Sequence, residues 1–194
     1  MSRVIVHPKI KDEYMTKLIA KTKELKIGPG ENEDSEVTPL ISTQQLKRVS
    51  NYVKSGIQSG ASVAIGGEEV EIGKGNFYQP TIFDNVKTDA TIAQEEIFGP
   101  VLGVLTVKSD KDALKVASNS KYGLHASVFT QDIDRAFHLA KSLPCGTVSV
   151  NTFSEGDIKT PFGGYKQSGS LSRDQGTEAL NSFLQTKTIW ISHN

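Results

Sequence analysis

The residues best suited to chemistry lie in Gln94-Glu95-Glu96-Ile97-Phe98-Gly99-Pro100-Val101, where a carboxylate pair runs straight into Phe, Gly and Pro. Glu96 and Phe98 are two apart, so an extended backbone puts them on one side, a bidentate acceptor beside a flat apolar plate. A ribose diol and an aromatic base suit that pair. Pro100 removes a backbone donor and turns Gly99 away from helix, while Gly99 admits another group close to the main chain. The plainer reading has Glu95 and Glu96 solvated and Ile97-Phe98 opening a buried strand. What favours chemistry is a second cluster about sixty residues on, Pro161-Phe162-Gly163-Gly164-Tyr165-Lys166-Gln167-Ser168-Gly169. Its glycine pair lets the loop pack flat while Phe162 projects into a cavity. Taken alone, the same loop reads equally as an Ω-type loop packed on itself.

Other reactive side chains offer less. Cys145, in Leu143-Pro144-Cys145-Gly146, ends a helix before a strand with no evident base beside it, the setting of a small buried thiol. His7, His125, His138 and His193 are scattered, with no pair at metal-ligand spacing. Asp174 and Glu178 read as solvated surface.

Composition bounds the answer. A chain of 194 residues fits one domain of ordinary size with a real core. Lys plus Arg and Asp plus Glu both number 22, so the net charge is zero, and neither nucleic acid nor an anionic membrane surface is implied. No apolar run approaches the ~20 residues needed to cross a bilayer. The lone cysteine excludes an internal disulfide and fits a reducing compartment. Met1-Ser2-Arg3 leads directly into Val4-Ile5-Val6, too short for a secretory core. A cytoplasmic globular protein is expected.

The elements that must position these residues follow in order. Arg3 to His7 is β-branched and bounded by Pro8, a short strand. Ile10, Tyr14, Leu18 and Ile19 recur at helical spacing up to Leu25. Gly28 to Pro39 is a loop, and Ser42 or Thr43 caps a helix with Leu46, Val49, Val53 and Ile57 on one face. Strands follow at Ala61 to Ile65, Glu69 to Ile72 and Phe77 to Phe83, the last placed at an edge or in a bend by Pro80. Val101 to Val107 is a buried strand, Ser109 caps a helix to Ser118, and His125 to Thr130 is a strand. Helix Asp132 to Leu143 and strand Gly146 to Val150 follow. Asn151 to Gly169 is a loop too long for a mere connector. The pattern predicts a helix over Arg173 to Leu184 and a last strand over Thr186 to Ile191. Strand and helix alternating with short connections predict α/β architecture: a mostly parallel twisted sheet with helices on both faces.

As a set, Gly75-Asn76-Phe77-Tyr78-Gln79-Pro80-Thr81, residues 94–101, Tyr122-Gly123-Leu124, Gly146 to Asn151, residues 161–169 and Lys187-Thr188-Ile189-Trp190 resemble the C-terminal part of an NAD(P)-dependent aldehyde dehydrogenase. Gly156-Asp157 ahead of the glycine-rich run, with the TKTIWI ending, resembles the branch that oxidises γ-glutamyl-γ-aminobutyraldehyde and similar substrates. The resemblance implies that Glu96 holds the nicotinamide ribose hydroxyls, that Phe98 lies beside the nicotinamide, and that Phe162 walls the aldehyde funnel. It also implies that the loop from Thr152 to Thr160 meets the far end of the substrate, where Glu155 and Asp157 would favour an amine-bearing aldehyde. Two residues depart from the family pattern: Ser149 stands where an aromatic is commoner, and Ser170-Leu171-Ser172-Arg173 replaces a glycine-containing turn.

The family's chemistry needs a cysteine thiolate that attacks the aldehyde, a glutamate base that activates water, and oxyanion donors. All of these belong upstream of the strand matching Arg3 to Val6, so this sequence is expected to lack them together with the dinucleotide-binding half. No catalytic residue is assigned, and none is expected for a metal. NAD or NADP is expected in a longer parent and not stably on this chain alone. Residues 1–170 read as a catalytic-domain segment and 171–194 as a helix and oligomerisation strand, implying a homo-oligomer. Two functions stay open: aldehyde oxidation by a longer parent, or a non-catalytic module acting only through self-association.

Overall fold

The computed structural model describes residues 2–153, 156–169 and 172–193. The chain divides into two compact units, Met1–Asn119 and Ser120–Asn194.

In the first unit, β1 (Arg3–Val6) ends where Pro8 opens α1 (Pro8–Glu24) from its first helical position. His7 caps α1, its Nδ1 accepting from the Lys9 N–H at 3.2 Å. Next is α2 (Thr43–Gln58), capped by Ser42, whose Oγ accepts from the Gln45 N–H at 3.1 Å. Then come β2 (Ser62–Ile65), β3 (Glu69–Val70), β4 (Phe77–Tyr78), β5 (Thr81–Asp84), α3 (Thr91–Gln94), β6 (Val101–Thr106) and α4 (Asp110–Ser118). Ser109 caps α4 through the Asp112 N–H.

The main sheet has the order β1-β6-β5-β2, with β1 and β5 parallel to β6 and β2 antiparallel at the edge. Pro80 separates β4 from β5, so the proline falls in a break and β5 itself is interior. Residues alternate across β6. Val101 and Leu105 join Val49 and Val53 of α2, Ile92 of α3 and Phe83 on one face. Val104 joins Met15 of α1, Val6 and Ile82 on the other. Both faces of this sheet are therefore covered, which is why β6 reads as a continuous apolar run. Burying each such side chain fully stabilises the fold by about 1.5–3 kcal/mol.

The second unit holds β7 (Tyr122–Gly123), β8 (His125–Val128), α5 (Ile133–Ser142), β9 (Thr147–Val150), β10 (Tyr165–Lys166) and α6 (Glu178–Asn181). β8 and β9 are parallel neighbours joined through α5, and β10 runs antiparallel to β7. Asp132 caps α5, accepting from the Arg135 N–H at 3.0 Å.

Two expectations for the tail are corrected. The helix predicted over Arg173 to Leu184 forms only as α6, because Gly176 sits at φ +69°, outside the right-handed helical region, and its N–H goes to the Ile158 carbonyl. Residues 185–193 form no strand, although their composition is that of one. A strand needs a neighbouring edge to receive its N–H and C=O groups, and among the described residues this segment pairs with none. Ile189, Trp190 and Ile191 stand exposed, Trp190 by 91%.

Candidate functional site

The turn that follows α3 alternates sharply: Glu96 is exposed, Ile97 is buried against the core and Phe98 is 70% exposed. Burial of Ile97 thus fixes which way the flanking residues look. Ser2, Glu96, Ile97, Phe98, Gly99 and Val101 line a cleft of about 200 Å³. The backbone, however, is not the extended segment that the spacing suggested. Phe98 sits at φ +53°, in the left-handed region that costs an L-residue about 1–2 kcal/mol. The group that approaches Gly99 is also not a ligand: a Cβ there would lie 2.5 Å from Cγ2 of Val49, so the glycine exists to let the turn press on α2.

The polar face of α2 holds this turn. Gln45 Nε2 donates to the carbonyls of Ile97 at 2.8 Å and Phe98 at 2.9 Å. Arg48 reaches the Glu96 carbonyl at 3.4 Å and lies 5.5 Å from the centre of the Tyr52 ring. Tyr52 donates to the Glu95 carboxylate at 2.6 Å, and that hydrogen bond, helped by burial, raises its phenol above the ordinary tyrosine value. Each neutral hydrogen bond contributes about 1 kcal/mol net, so the pair from Gln45 offsets the Phe98 strain. Sequence reasoning missed Gln45 and Arg48, which look like any polar helix face; their spacing of three along α2 is the one signal, and it names no partner. Glu95, the other half of the carboxylate pair, serves Tyr52.

The second cluster is held differently. Backbone meets backbone here: a Cβ on Gly146 would lie 1.6 Å from the Gly163 carbonyl oxygen, and one on Gly169 would lie 1.9 Å from that of Gly164, while Gly163 itself faces the Arg173 side chain. Phe162 is half-buried, its carbonyl accepting from the Asp174 N–H at 2.8 Å, and Ser168 Oγ accepts from the Gly123 N–H at 3.1 Å. Arg173 lies 5.7 Å from the Tyr165 ring centre. Asp157 is exposed, and its Oδ1 accepts from the Lys159 N–H at 2.9 Å, so part of its carboxylate already orders its own turn. Glu155, like Ser154, Ser170 and Leu171, lies outside the described residues.

Ser149 is 8% exposed on β9, and its Oγ meets His125 Nε2 at 3.0 Å, so a polar pair occupies the place where the family pattern favours an aromatic ring. His125 in turn meets the edge of Phe153, ring centres 5.3 Å apart. Cys145 is half-buried, more open than the buried thiol that its sequence setting suggested. Among the described residues no cluster of three or more His, Cys, Asp or Glu could hold a metal ion, and no helix is long and apolar enough to cross a membrane.

Residues 1–189 match the aldehyde dehydrogenase family. An α-ketoglutaric semialdehyde dehydrogenase from Bacillus subtilis is 44% identical over 194 residues, a match covering 98% of this chain and 40% of that protein. A mitochondrial aldehyde dehydrogenase family 2 member from Arabidopsis thaliana is 43% identical, covering 97% of this chain and 35% of its own length. The NAD+ complex of an aldehyde dehydrogenase from Bacillus cereus superposes with a TM-score of 0.94 at 41% identity, over 100% of this chain and 39% of the other. An indole-3-acetaldehyde dehydrogenase from P. syringae in complex with NAD+ and IAA also gives 0.94, at 38% identity, over 99% of this chain and 39% of its own. The chain belongs to the aldehyde dehydrogenase family, and it spans about two-fifths of the length of the relatives it matches.

Proposed function

We propose that this chain is the C-terminal catalytic-domain part of an enzyme that oxidises an aldehyde to a carboxylic acid with NAD or NADP as acceptor. Residues 1–170 serve as the catalytic-domain segment and 171–194 as the tail. The Glu96 carboxylate accepts hydrogen bonds from the nicotinamide ribose hydroxyls, and the Phe98 ring flanks the nicotinamide. The observation that carries this reading is the exposed Glu96 and Phe98 on either side of buried Ile97, at the rim of one cleft. An exposed carboxylate next to an exposed ring fits a sugar diol next to a pyridine. When bound, the cofactor supplies a hydride acceptor; the chain's own part is to orient it.

At about 200 Å³ the cleft is smaller than the roughly 300–1,000 Å³ of sites that enclose a whole ligand. This chain alone therefore grips one end of a dinucleotide and does not hold it stably. Phe162 supplies an aromatic wall for the aldehyde. Asp157 and Glu155 bias the far end of the substrate toward an amine, a modest effect because Asp157 is exposed, while Gly156-Asp157 ahead of the glycine-rich run and the KTIWI ending point to the γ-glutamyl-γ-aminobutyraldehyde branch. The relatives above are named for other aldehydes, so the branch rests on the motifs of this sequence. The 194 residues hold neither the attacking cysteine nor the glutamate base of the family's chemistry, and the chain by itself is inactive. A lone cysteine supports a reducing, cytoplasmic setting.

A second reading has one specific support. Exposed Ile189, Trp190 and Ile191 suit pairing of the 188–191 segment with a second copy, and a chain that only self-associates would need no more.

The test is a chimera in which this chain replaces the matching part of the Bacillus subtilis relative. Aldehyde-dependent NAD(P)H formation is expected, and Glu96→Ala should raise the KM for the dinucleotide at least tenfold. A folded chimera that forms none, or whose KM ignores Glu96, contradicts the proposal.

A further inference from the structure

We infer that Gln45 is the positioning residue that aims the Phe98 ring: one side-chain amide on α2 holds the left-handed turn from which that ring projects. In extended backbone successive carbonyls point to opposite sides, so a single NH₂ group cannot serve two of them. In a helical conformation of either hand they point the same way. Gln45 Nε2 bonds the carbonyls of Ile97 and Phe98 together, and the residue between those carbonyls is the one at φ +53°. The two observations are one geometry seen twice. Arg48 adds the Glu96 carbonyl, so three consecutive carbonyls face α2 and the Glu96 and Phe98 side chains are left to the solvent side.

Alternative causes of the turn are weaker. Gly99 packs on Val49 but sits outside the left-handed region, so it gives the turn room without setting its hand. Ile97 burial fixes the direction of one side chain and is equally compatible with extended backbone at Phe98. A phenylalanine does not choose positive φ for itself. The donor with the right valence is the Gln45 amide, which presents two hydrogens from one nitrogen.

The consequence for cofactor binding rests on the reading of Glu96 and Phe98 given above. With the amide gone, Phe98 relaxes toward extended backbone and its ring no longer stands beside Glu96. The side chain of Gln45 is half-buried in the middle of the interaction, so its loss is felt at the turn and not in the core.

The experiment is NMR on the 194-residue chain, using Gln45→Met, which keeps length and helix preference but has no donor. The backbone coupling constant and Cα shift of Phe98 report its φ directly. Nicotinamide mononucleotide, titrated into the millimolar range, reports the ribose and ring contacts through shifts at Glu96 to Gly99. The wild-type chain should show left-handed Phe98. Gln45→Met should lose that signature and bind the mononucleotide at least fivefold more weakly. Gln45→Glu, which puts an acceptor against two acceptors, should do the same, and serves if the methionine variant does not fold. Phe98 remaining left-handed in either folded variant overturns the inference. If the signature is lost but neither the wild-type chain nor the variants respond to the mononucleotide, the positioning of Phe98 by Gln45 stands and the ribose reading of Glu96 fails.

Discussion

The turn at 96–99 and the loop at 161–169 each carry an aromatic residue beside glycine, yet they are held by opposite means. The first is held by side chains that are present: Gln45 and Arg48 reach three carbonyls, and Val49 presses on Gly99. The second is held by side chains that are absent, since Gly146, Gly164 and Gly169 bring backbone against backbone. A turn of the first kind is weakened by taking a group away. A loop of the second kind is broken by adding one. The contrast extends to packing: the first unit has the apolar clusters on both faces of its sheet, while the second exposes Phe129, Ile133, Phe137 and Phe183.

The largest effect should come from adding a methyl to the second loop. Gly146→Ala places carbon 1.6 Å from the Gly163 oxygen, so the loop must open, at a cost on the order of 4 kcal/mol or more. Urea denaturation should show it, with hydrogen exchange at Gly163 to Gly169 rising well above that at β6. Unchanged exchange there would mean that the glycine contacts are incidental.

A smaller effect sharpens the account of the first turn. Gly99→Ala should cost about 1–3 kcal/mol by overpacking against Val49. In a Val49→Ala background the same change should cost little, giving a coupling energy of roughly 1 kcal/mol or more in a double-mutant cycle. Additive costs would show that Val49 does not set the approach.

The smallest effect is in pH dependence. Tyr52 is raised by its hydrogen bond to Glu95, and Tyr14 and Tyr78 by burial, above the ordinary value of 10.0. The folded state therefore keeps these protons where the unfolded chain has lost them. Their contribution is fully present below about pH 10 and disappears as pH climbs through the folded-state values. Tyr52→Phe should lower neutral stability by up to about 1 kcal/mol, the hydrogen bond to Glu95, and make the alkaline fall in stability shallower. A steeper fall would reverse the assignment.

Much of the fold was legible because its signals are local. Ser42, Ser109 and Asp132 mark helix starts with side chains that bond within three residues, and Pro8 and Pro80 act where they stand. The Phe98 turn was not legible, because its cause is an amide about fifty residues upstream whose residue type is common on any helix surface. The last strand does not form within this chain for a related reason. Thr186 to Ile191 has strand composition, but pairing depends on an edge that composition does not specify. For the candidate site, Glu96, Phe98 and Phe162 stood out by residue type and spacing, their proposed roles came from the family resemblance, and the α2 residues behind Glu96 and Phe98 became visible only with the fold.

We propose that this chain carries walls of an aldehyde-oxidising site without the sulfur that attacks the aldehyde. The most direct test is absorbance at the NADH band when the purified 194-residue chain is mixed with NAD and an aldehyde. No NADH above background is expected at any aldehyde concentration. Sustained NADH formation that Cys145→Ala abolishes would contradict the account.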